Sequence, residues 1–248
     1  MSFNLTVSPD FTPDHIAGWF IFNTWLQKAI GEGIHLELYN SFEAQRKDID
    51  ADKIDMIYAN PYDASILVRE KGFLPVATPT GERDEAVIAV NAASDCKTVE
   101  DLKEGLRIAT TDDPDVHMMG MIMIEPADLN KTNVEIFYAP SYVIVAKHVI
   151  QGKADAGFFL KEAYDDLSGV IRKQLRELIS SQIYVIRHVL LVGPRLQHKL
   201  GAIKQVLHGM RQDPKGPGVL QALGFEGWED VSQEDTEFMI DLMETLVD

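Results

Sequence analysis

Short apolar runs alternate with amphipathic stretches along most of the chain, and this rhythm predicts an α/β protein. The first part predicts strands at residues 5–7, 34–39, 54–59 and 73–77, with helices at 13–30, 41–50 and 64–71 between them. Thr12 and Pro13 are suited to begin the first helix. The βαβαβ order predicts parallel strands joined by right-handed crossovers.

A polar, turn-rich passage at residues 78–85 precedes a second part with the same rhythm. There the pattern predicts strands at 86–90, 106–109, 134–138 and 156–159, and helices at 98–104, 116–124, 142–151 and 161–178. An apolar strand at 183–192 is predicted to return to the first lobe. The residues after it are predicted to be helical, with Ser232 and Asp235 as an N-cap pair. We therefore predict mainly parallel sheets in two lobes, residues 1–80 plus 186–248 and residues 81–185, with a cleft between them.

Composition and charge narrow the classes of partner. The chain has 248 residues, of which 46% are hydrophobic and 25% charged, as in soluble globular proteins. A formal net charge of −16 argues against nucleic acid or an anionic membrane surface as the main partner. The longest apolar clusters are too short or too interrupted for membrane insertion. No secretion signal is visible, so we expect a cytoplasmic location for the chain as written, or a periplasmic one if a leader has been removed.

The most informative stretch is residues 106–120, LRIATTDDPDVHMMG, which predicts a strand, a polar loop and a helix. In open α/β folds, a helix N-terminus that follows a strand is a place where ligands, often anions, bind. This loop instead holds Asp112, Asp113 and Asp115, followed by His117. The aspartates either cap the helix, or bind a cation or an amine, or form a metal site with His117.

The sequence lacks the short motifs of several enzyme classes. It contains no G-x-S-x-G elbow, no H-E-x-x-H, no phosphate-binding P-loop and no dinucleotide-binding glycine motif. The methionines after His117 suit flexible apolar packing better than copper or haem ligation. The single cysteine, Cys96, cannot form an internal disulfide. We predict no catalytic residue and no cofactor, and leave a metal open.

Four segments, taken in order, resemble the phosphate, phosphite and phosphonate type of periplasmic substrate-binding protein. They are KIDMIYANPY at 53–62, TVEDLKEGLRIA at 98–109, GKADAGF at 152–158 and DPKGPGVLQALGF at 213–225. The resemblance covers nearly the whole chain. It implies a two-lobed type II periplasmic-binding-protein fold that closes on a small ligand by hinge motion, in partnership with a transporter or a signalling protein.

The chain departs from this family where an oxyanion would bind. Family members carry a Ser/Thr-rich loop at the positions of residues 116–119, where hydroxyl and helix-end N–H groups receive the oxyanion. This chain has no hydroxyl there and places Asp113 and Asp115 just before. Two carboxylates near a bound phosphonate would repel it by about a few kcal/mol at intermediate dielectric. We therefore predict that the ligand is not a phosphonate.

The candidate ligand-binding residues follow predicted strands, begin helices or lie in the first crossing. Tyr62 matches an aromatic residue of the family, Arg83 could bind a carboxylate or pair with its acidic neighbours, and Tyr142 with Tyr138 could stack on a planar ligand. The full set is Asp10, Phe11, Asn60, Tyr62, Arg83, Asp113, Asp115, His117, Ser141, Tyr142 and Phe159.

These expectations favour non-catalytic binding of a small molecule in the interlobe cleft. One alternative is a cleft enzyme that uses carboxylates for acid–base chemistry, as in menaquinone-pathway relatives of this fold. Another is a sensory or interaction module whose cleft is vestigial. The sequence does not indicate an oligomeric state.

Overall fold

The chain forms two compact α/β units. The computed structural model describes residues 2–10, 15–81 and 84–247, with side chains up to Met243. Unit 1 is Met1–Arg83 with Arg187–Glu244, and unit 2 is Asp84–Ile186 with Thr245–Asp248. The predicted cap at Thr12 and Pro13 and the candidates Phe11 and Arg83 lie outside the described residues. Within the described part of the chain, no helix combines the length and apolar character needed to cross a bilayer.

The elements follow the alternating order expected from the sequence. The part before residue 84 holds β1 (Phe3–Val7), α1 (Ile16–Ile30), β2 (Ile34–Leu38), α2 (Phe42–Asp50), β3 (Met56–Ala59), α3 (Pro61–Arg69) and β4 (Leu74–Pro79). Residues 84–186 hold β5 (Ala86–Asn91), β6 (Leu106–Thr110), α4 (Pro114–Met123), β7 (Val134–Tyr138), α5 (Tyr142–Ile150), β8 (Ala156–Leu160), α6 (Lys161–Asp165), α7 (Gly169–Arg172) and β9 (Leu175–Ser180). The last part holds β10 (Val189–Val192), α8 (Leu200–His208), α9 (Gly216–Leu223), β11 (Trp228–Asp230) and α10 (Gln233–Val247).

The sheet of unit 1 has the strand order β11-β4-β10-β3-β1-β2. β1 is parallel to β2 and β3, whereas β10 is antiparallel to β3 and β4. Val189 at the start of β10 lies opposite Ala59 at the end of β3. The start of β10 therefore shares one edge with the ends of β1 and β3, and we call this the carboxyl edge of unit 1.

α1 packs closely on α9 over one face of this sheet. Trp19, Phe22 and Leu26 of α1 are buried in the core that covers this face. Gly18 makes the close approach possible, because a Cβ atom at this position would lie 2.0 Å from the carbonyl oxygen of Ala222.

The sheet of unit 2 has the order β7-β6-β8-β5-β9. β6 is parallel to β7 and β8, and β5 is antiparallel to β8 and β9. Ala86 lies opposite Leu160, and Val87 lies opposite Ser180. The start of β5 and the ends of β8 and β9 thus share one edge with the ends of β6 and β7, and we call this the carboxyl edge of unit 2.

The α/β class and the parallel arrangement of β1, β2 and β3 are confirmed. The predicted boundaries of β7 and α2 are matched within one residue. Ser232 and Asp235 also form the predicted capping pair, with Asp235 N 3.0 Å from Ser232 Oγ. The sheets, however, are mixed rather than mainly parallel.

Several predicted elements were wrong. The helix at 98–104 is only a 3-10 turn, Val99–Asp101, because Leu102 turns to an extended conformation. The helix at 161–178 is two short helices followed by β9, whose alternating burial is typical of an edge strand. The strand at 183–192 is confined to Val189–Val192, since Tyr184 adopts a left-handed conformation. β11 lies in a part that was predicted to be helical, and α3 begins three residues earlier than predicted.

We expect Gly18→Ala to lower the free energy of unfolding by about 1–3 kcal/mol, because the added methyl group meets main-chain atoms that cannot turn away. Gly201→Ala is the matched control, since nothing lies within 4 Å of a Cβ there. The control should be neutral or stabilising by about 0.5–1 kcal/mol. Urea unfolding monitored by circular dichroism measures both changes, and equal stability of the two variants would contradict the close packing of α1 on α9.

Candidate functional site

Asp113 begins α4 at the carboxyl edge of unit 2. It is 3% exposed, and its Oδ1 accepts hydrogen bonds from the main-chain N–H groups of Asp115 at 3.0 Å and Val116 at 3.2 Å. Its carbonyl oxygen accepts the N–H of His117 at 3.1 Å. Pro114, at the first helical position, has no N–H group. Of the four N–H positions that a helix start leaves without an intrahelical partner, Pro114 has no N–H group, and those of Asp115 and Val116 bind Asp113 Oδ1. The N–H of Asp113 itself lies 3.4 Å from Thr111 Oγ1.

Tyr142 completes the surroundings of Asp113. The Tyr142 hydroxyl donates to Asp113 Oδ2 at 2.9 Å, which joins the start of α5 to the start of α4. Both oxygens of this carboxylate are thus engaged by the protein itself. The prediction that the aspartates cap a helix is confirmed for Asp113, whereas Asp112 is exposed to solvent.

His117 and Tyr138 lie side by side, with ring centroids 6.2 Å apart. Burial lowers the pKa of His117 below its ordinary value, so its imidazole is uncharged at neutral pH. Tyr138 is 61% exposed at the end of β7. Asp115 is buried in the first turn of α4. Within the described ranges, no group of three or more His, Cys, Asp or Glu residues could hold a metal ion.

Ser141 and Phe159 have different surroundings. Ser141 is exposed at the N-cap position of α5, and its side chain makes no capping hydrogen bond. Phe159 is 0% exposed, with ring centroids 5.3 Å from Tyr164 and 6.2 Å from Tyr142. The expectation that Phe159 would contact a ligand does not fit this position in the core, from which it supports Tyr142.

In unit 1, Asn60 joins β1 to α3. Its Oδ1 accepts the N–H of Asp63 at 2.7 Å, and its Nδ2 lies 3.0 Å from both Ser8 Oγ and Asp63 Oδ2. Asn60 is completely buried. The structure thus gives it a capping role that also fixes the end of β1.

Tyr62 lies half-exposed beside a buried ion pair. Arg46 stacks over the Tyr62 ring, with 4.9 Å between the guanidinium carbon and the ring centroid. Arg46 Nε also donates to Asp63 Oδ1 at 2.6 Å. Burial raises the pKa of Asp63, and the guanidinium of Arg46 offsets only part of this effect. The positive charge of Arg46 is therefore already directed at a carboxylate.

Asp10 is paired with His188 at the same edge. His188 Nε2 lies 3.1 Å from Asp10 Oδ2, and the His188 ring stacks on Tyr58 with centroids 5.0 Å apart. Burial on its own would raise the pKa of Asp10, but the charge and hydrogen bond of His188 hold it below its usual range. His188, like Arg46, is therefore paired with a carboxylate.

Sequence reasoning missed three residues at these edges: Arg46, Glu85 and His188. Arg46 lies within an ordinary amphipathic helix, so its charge gave no signal. His188 directly precedes β10, and it would have been placed at the carboxyl edge had β10 been known to be antiparallel. Glu85 lies in a polar, turn-rich passage in which the sequence suggested only pairing of the acidic residues with Arg83. The carboxyl edge of unit 1 carries the buried carboxylates of Asp10 and Asp63, which are paired with His188 and Arg46. The carboxyl edge of unit 2 carries those of Glu85 and Asp113.

Comparison with known proteins gives a family and a fold. The family model for "ABC transporter, phosphonate, periplasmic substrate-binding protein" matches residues 5–236. No curated protein sequence matches the chain.

Three solved structures illustrate the likeness, and all are similar in fold at low sequence identity. PhnD1 from Prochlorococcus marinus (MIT 9301), in complex with methylphosphonate, has a TM-score of 0.83 and 12% identity over 99% of this chain and 98% of that one. XAC2383 from Xanthomonas citri, bound to chloride ion, has a TM-score of 0.81 and 14% identity over 99% of this chain and 97% of that one. The alkanesulfonate-binding protein SsuA from Xanthomonas axonopodis pv. citri, bound to MOPS, has a TM-score of 0.66 and 15% identity over 99% of this chain and 93% of that one. The predicted type II periplasmic-binding-protein fold is thus confirmed.

We expect Arg46→Met to lower the free energy of unfolding at neutral pH by about 2 kcal/mol. The loss of a partner for a fully buried charge is larger, about 3–5 kcal/mol, but the Arg46 side chain is 33% exposed. Because Asp63 has a raised pKa in the folded state, its effect on stability becomes more unfavourable as pH rises from its unfolded to its folded pKa. The deficit of the variant should therefore shrink on acidification, as Asp63 becomes protonated.

Lys47→Met is the matched control on the same helix. Lys47 pairs with Glu43 at the surface, with both side chains mostly exposed, so its loss should change stability by less than about 0.5 kcal/mol. Urea unfolding at several pH values compares the two variants. A deficit for Arg46→Met that stays constant with pH would show that Asp63 is not the group left unpaired.

Proposed function

The chain belongs to the family of periplasmic substrate-binding proteins of phosphonate ABC transporters, and we propose from this premise that it captures a small solute other than a phosphonate. The observation that carries the proposal is the carboxylate of Asp113 at the N-terminus of α4. The N–H groups that would receive an oxyanion there already bind this carboxylate. An oxyanion would therefore have to displace the side-chain carboxylate of Asp113, which is also negatively charged, from these N–H groups.

Electrostatics supports the same conclusion. A unit charge about 5 Å from Asp113 would be repelled by about 3 kcal/mol at an effective dielectric constant of about 20, which is a factor of more than a hundred in affinity. Burial lowers the pKa of His117, so its neutral imidazole does not offset this repulsion. In unit 1, Arg46 and His188 are bound by Asp63 and Asp10. Neither edge supplies a described cation that lacks a carboxylate partner.

The ligand that suits these groups carries an amine or another hydrogen-bond donor. Carboxylates attract cations and raise their local concentration. The exposed ring of Tyr138 adds an aromatic face close to His117, and aromatic faces bind organic cations favourably. We propose that Asp113, His117 and Tyr138 at the carboxyl edge of unit 2 contribute contacts to this solute.

Binding without catalysis fits both the family and the geometry. Asp113 is one of the buried carboxylates that an acid–base mechanism could use, and its oxygens are engaged by main-chain amides and by Tyr142. The family is periplasmic and acts with an ABC transporter. We propose that this chain likewise delivers its solute to a transporter, and the expected cytoplasmic location has no support from the family.

The proposal is tested by calorimetry on protein purified without refolding, with native mass spectrometry to detect any solute that remains bound. We expect binding of at least one of ethanolamine, putrescine and choline. Phosphate, phosphite, methylphosphonate and MOPS should give no heat of binding. Micromolar affinity for any of these four anions would overturn the exclusion of oxyanions.

We further expect Asp113→Ser to gain affinity for methylphosphonate. Serine is also a good N-cap residue, so α4 should stay folded, while the removal of one negative charge relieves repulsion of about 3 kcal/mol. Asp112→Ser removes the same charge from the exposed neighbour and serves as the control, which should gain little. Calorimetric titration with methylphosphonate measures both variants, and an equal gain in the two would point to net charge rather than to the position of Asp113.

A further inference from the structure

Glu85 and residues 181–184 lie at the carboxyl edge of unit 2, the edge that carries Asp113. This position follows from the strand register, because Ala86 lies opposite Leu160 and Val87 lies opposite Ser180. Ser181 Oγ is 3.7 Å from the sulfur of Met119, a residue of α4. The segment after β9 is thus in contact with the helix that Asp113 caps.

Glu85 is a buried carboxylate, 8% exposed, that holds this segment by its main chain. Its Oε1 accepts the N–H of Tyr184 at 2.7 Å, and its Oε2 accepts the N–H of Ile183 at 3.1 Å. The Ser181 hydroxyl donates to Oε2 as well. Three donors within four residues therefore converge on one carboxylate, which fixes the path of the chain there.

Tyr184 is the residue whose conformation this arrangement maintains. Its φ of 61° lies in the left-handed region, which a bulky side chain adopts only at a cost in free energy. Its ring is 62% exposed, so burial of the ring does not offset this cost. Strained residues of this kind are found at ligand-binding sites, where the surrounding structure holds them in place.

We propose that Tyr184 is a solute-contacting residue of the unit 2 site and that Glu85 is the positioning residue that presents it. The proposal rests on the proposed function and adds an aromatic face at the edge that carries Asp113 and Tyr138. An aromatic face beside buried carboxylates suits an organic cation. Glu85 acts through main-chain hydrogen bonds and does not itself touch the solute.

The positioning role is tested by hydrogen exchange, which needs no ligand. Glu85→Gln keeps the shape of the side chain but replaces one acceptor oxygen by a donor. We expect the amides of Ile183 and Tyr184 to exchange about tenfold faster or more. Glu104→Gln, an exposed isosteric change near the opposite edge of the same sheet, should leave both amides unchanged. Unchanged exchange in Glu85→Gln would overturn the positioning role.

The contact with solute is tested by calorimetry with choline and ethanolamine. Tyr184→Gly removes the ring and relieves the left-handed strain, so the melting temperature should stay the same or rise while affinity falls about tenfold. Glu85→Gln should weaken binding to a similar degree, and the double variant should lose no more than either single one. Phe238→Ala removes an equally exposed ring from α10 and should leave affinity unchanged. Wild-type affinity in Tyr184→Gly would overturn the proposal and leave the proposed function intact.

If ethanolamine, putrescine and choline all fail to bind the wild-type chain, the amine ligand of the proposed function fails on its own. Methylphosphonate binding to Asp113→Ser then provides the measurement. Addition of Tyr184→Gly to that variant should weaken methylphosphonate binding, and full retention would overturn the contact. Absence of binding in this arm as well would overturn both proposals.

Discussion

The hydrogen bonds from the N-terminus of α4 to Asp113 determine the chemistry of the carboxyl edge of unit 2. A helix that follows a parallel strand offers main-chain N–H groups, and something must satisfy them. Here Pro114 has no N–H group, and the carboxylate of Asp113 accepts those of Asp115 and Val116. Because the acceptor belongs to the chain, the edge keeps the backbone geometry of an anion receptor but presents negative charge. The hydroxyl of Tyr142 and the buried ring of Phe159 then hold this carboxylate in place.

Unit 1 likewise satisfies its buried charges with groups of its own. Arg46 and His188 would be natural partners for an anionic solute, yet each is directed at an aspartate and lies against a tyrosine ring. Buried carboxylates need such partners, because an isolated one is strongly destabilising. The two edges are therefore alike in a physical sense, because Arg46 and His188 are paired with carboxylates and Asp113 binds main-chain N–H groups.

Apolar periodicity predicted most of the fold, whereas the site needed three-dimensional information. The α/β order, the parallel strands β1 to β3 and the capping role of Asp113 follow from local patterns, because these features depend on near neighbours in sequence. β9 and the left-handed turn at Tyr184 do not, since an edge strand with charged side chains has the composition of a surface helix. The pairs Arg46–Asp63 and Asp10–His188 join distant segments and carry no signal in a single sequence. Phe159 was expected to contact a ligand because a strand end does not reveal which of its residues face the core.

The position of β10 between β3 and β4 has a consequence for how the protein is made. The first 83 residues can form β1 to β4 and their helices, but β3 and β4 are not neighbours in the finished sheet, because a strand formed more than a hundred residues later separates them. During synthesis, residues 84–186 of unit 2 precede β10, and the edges that β3 and β4 offer to β10 stay unpaired until β10 has been made. Exposed edges of this kind promote association between chains. Unit 1 thus remains vulnerable to aggregation until the last quarter of the chain has been added.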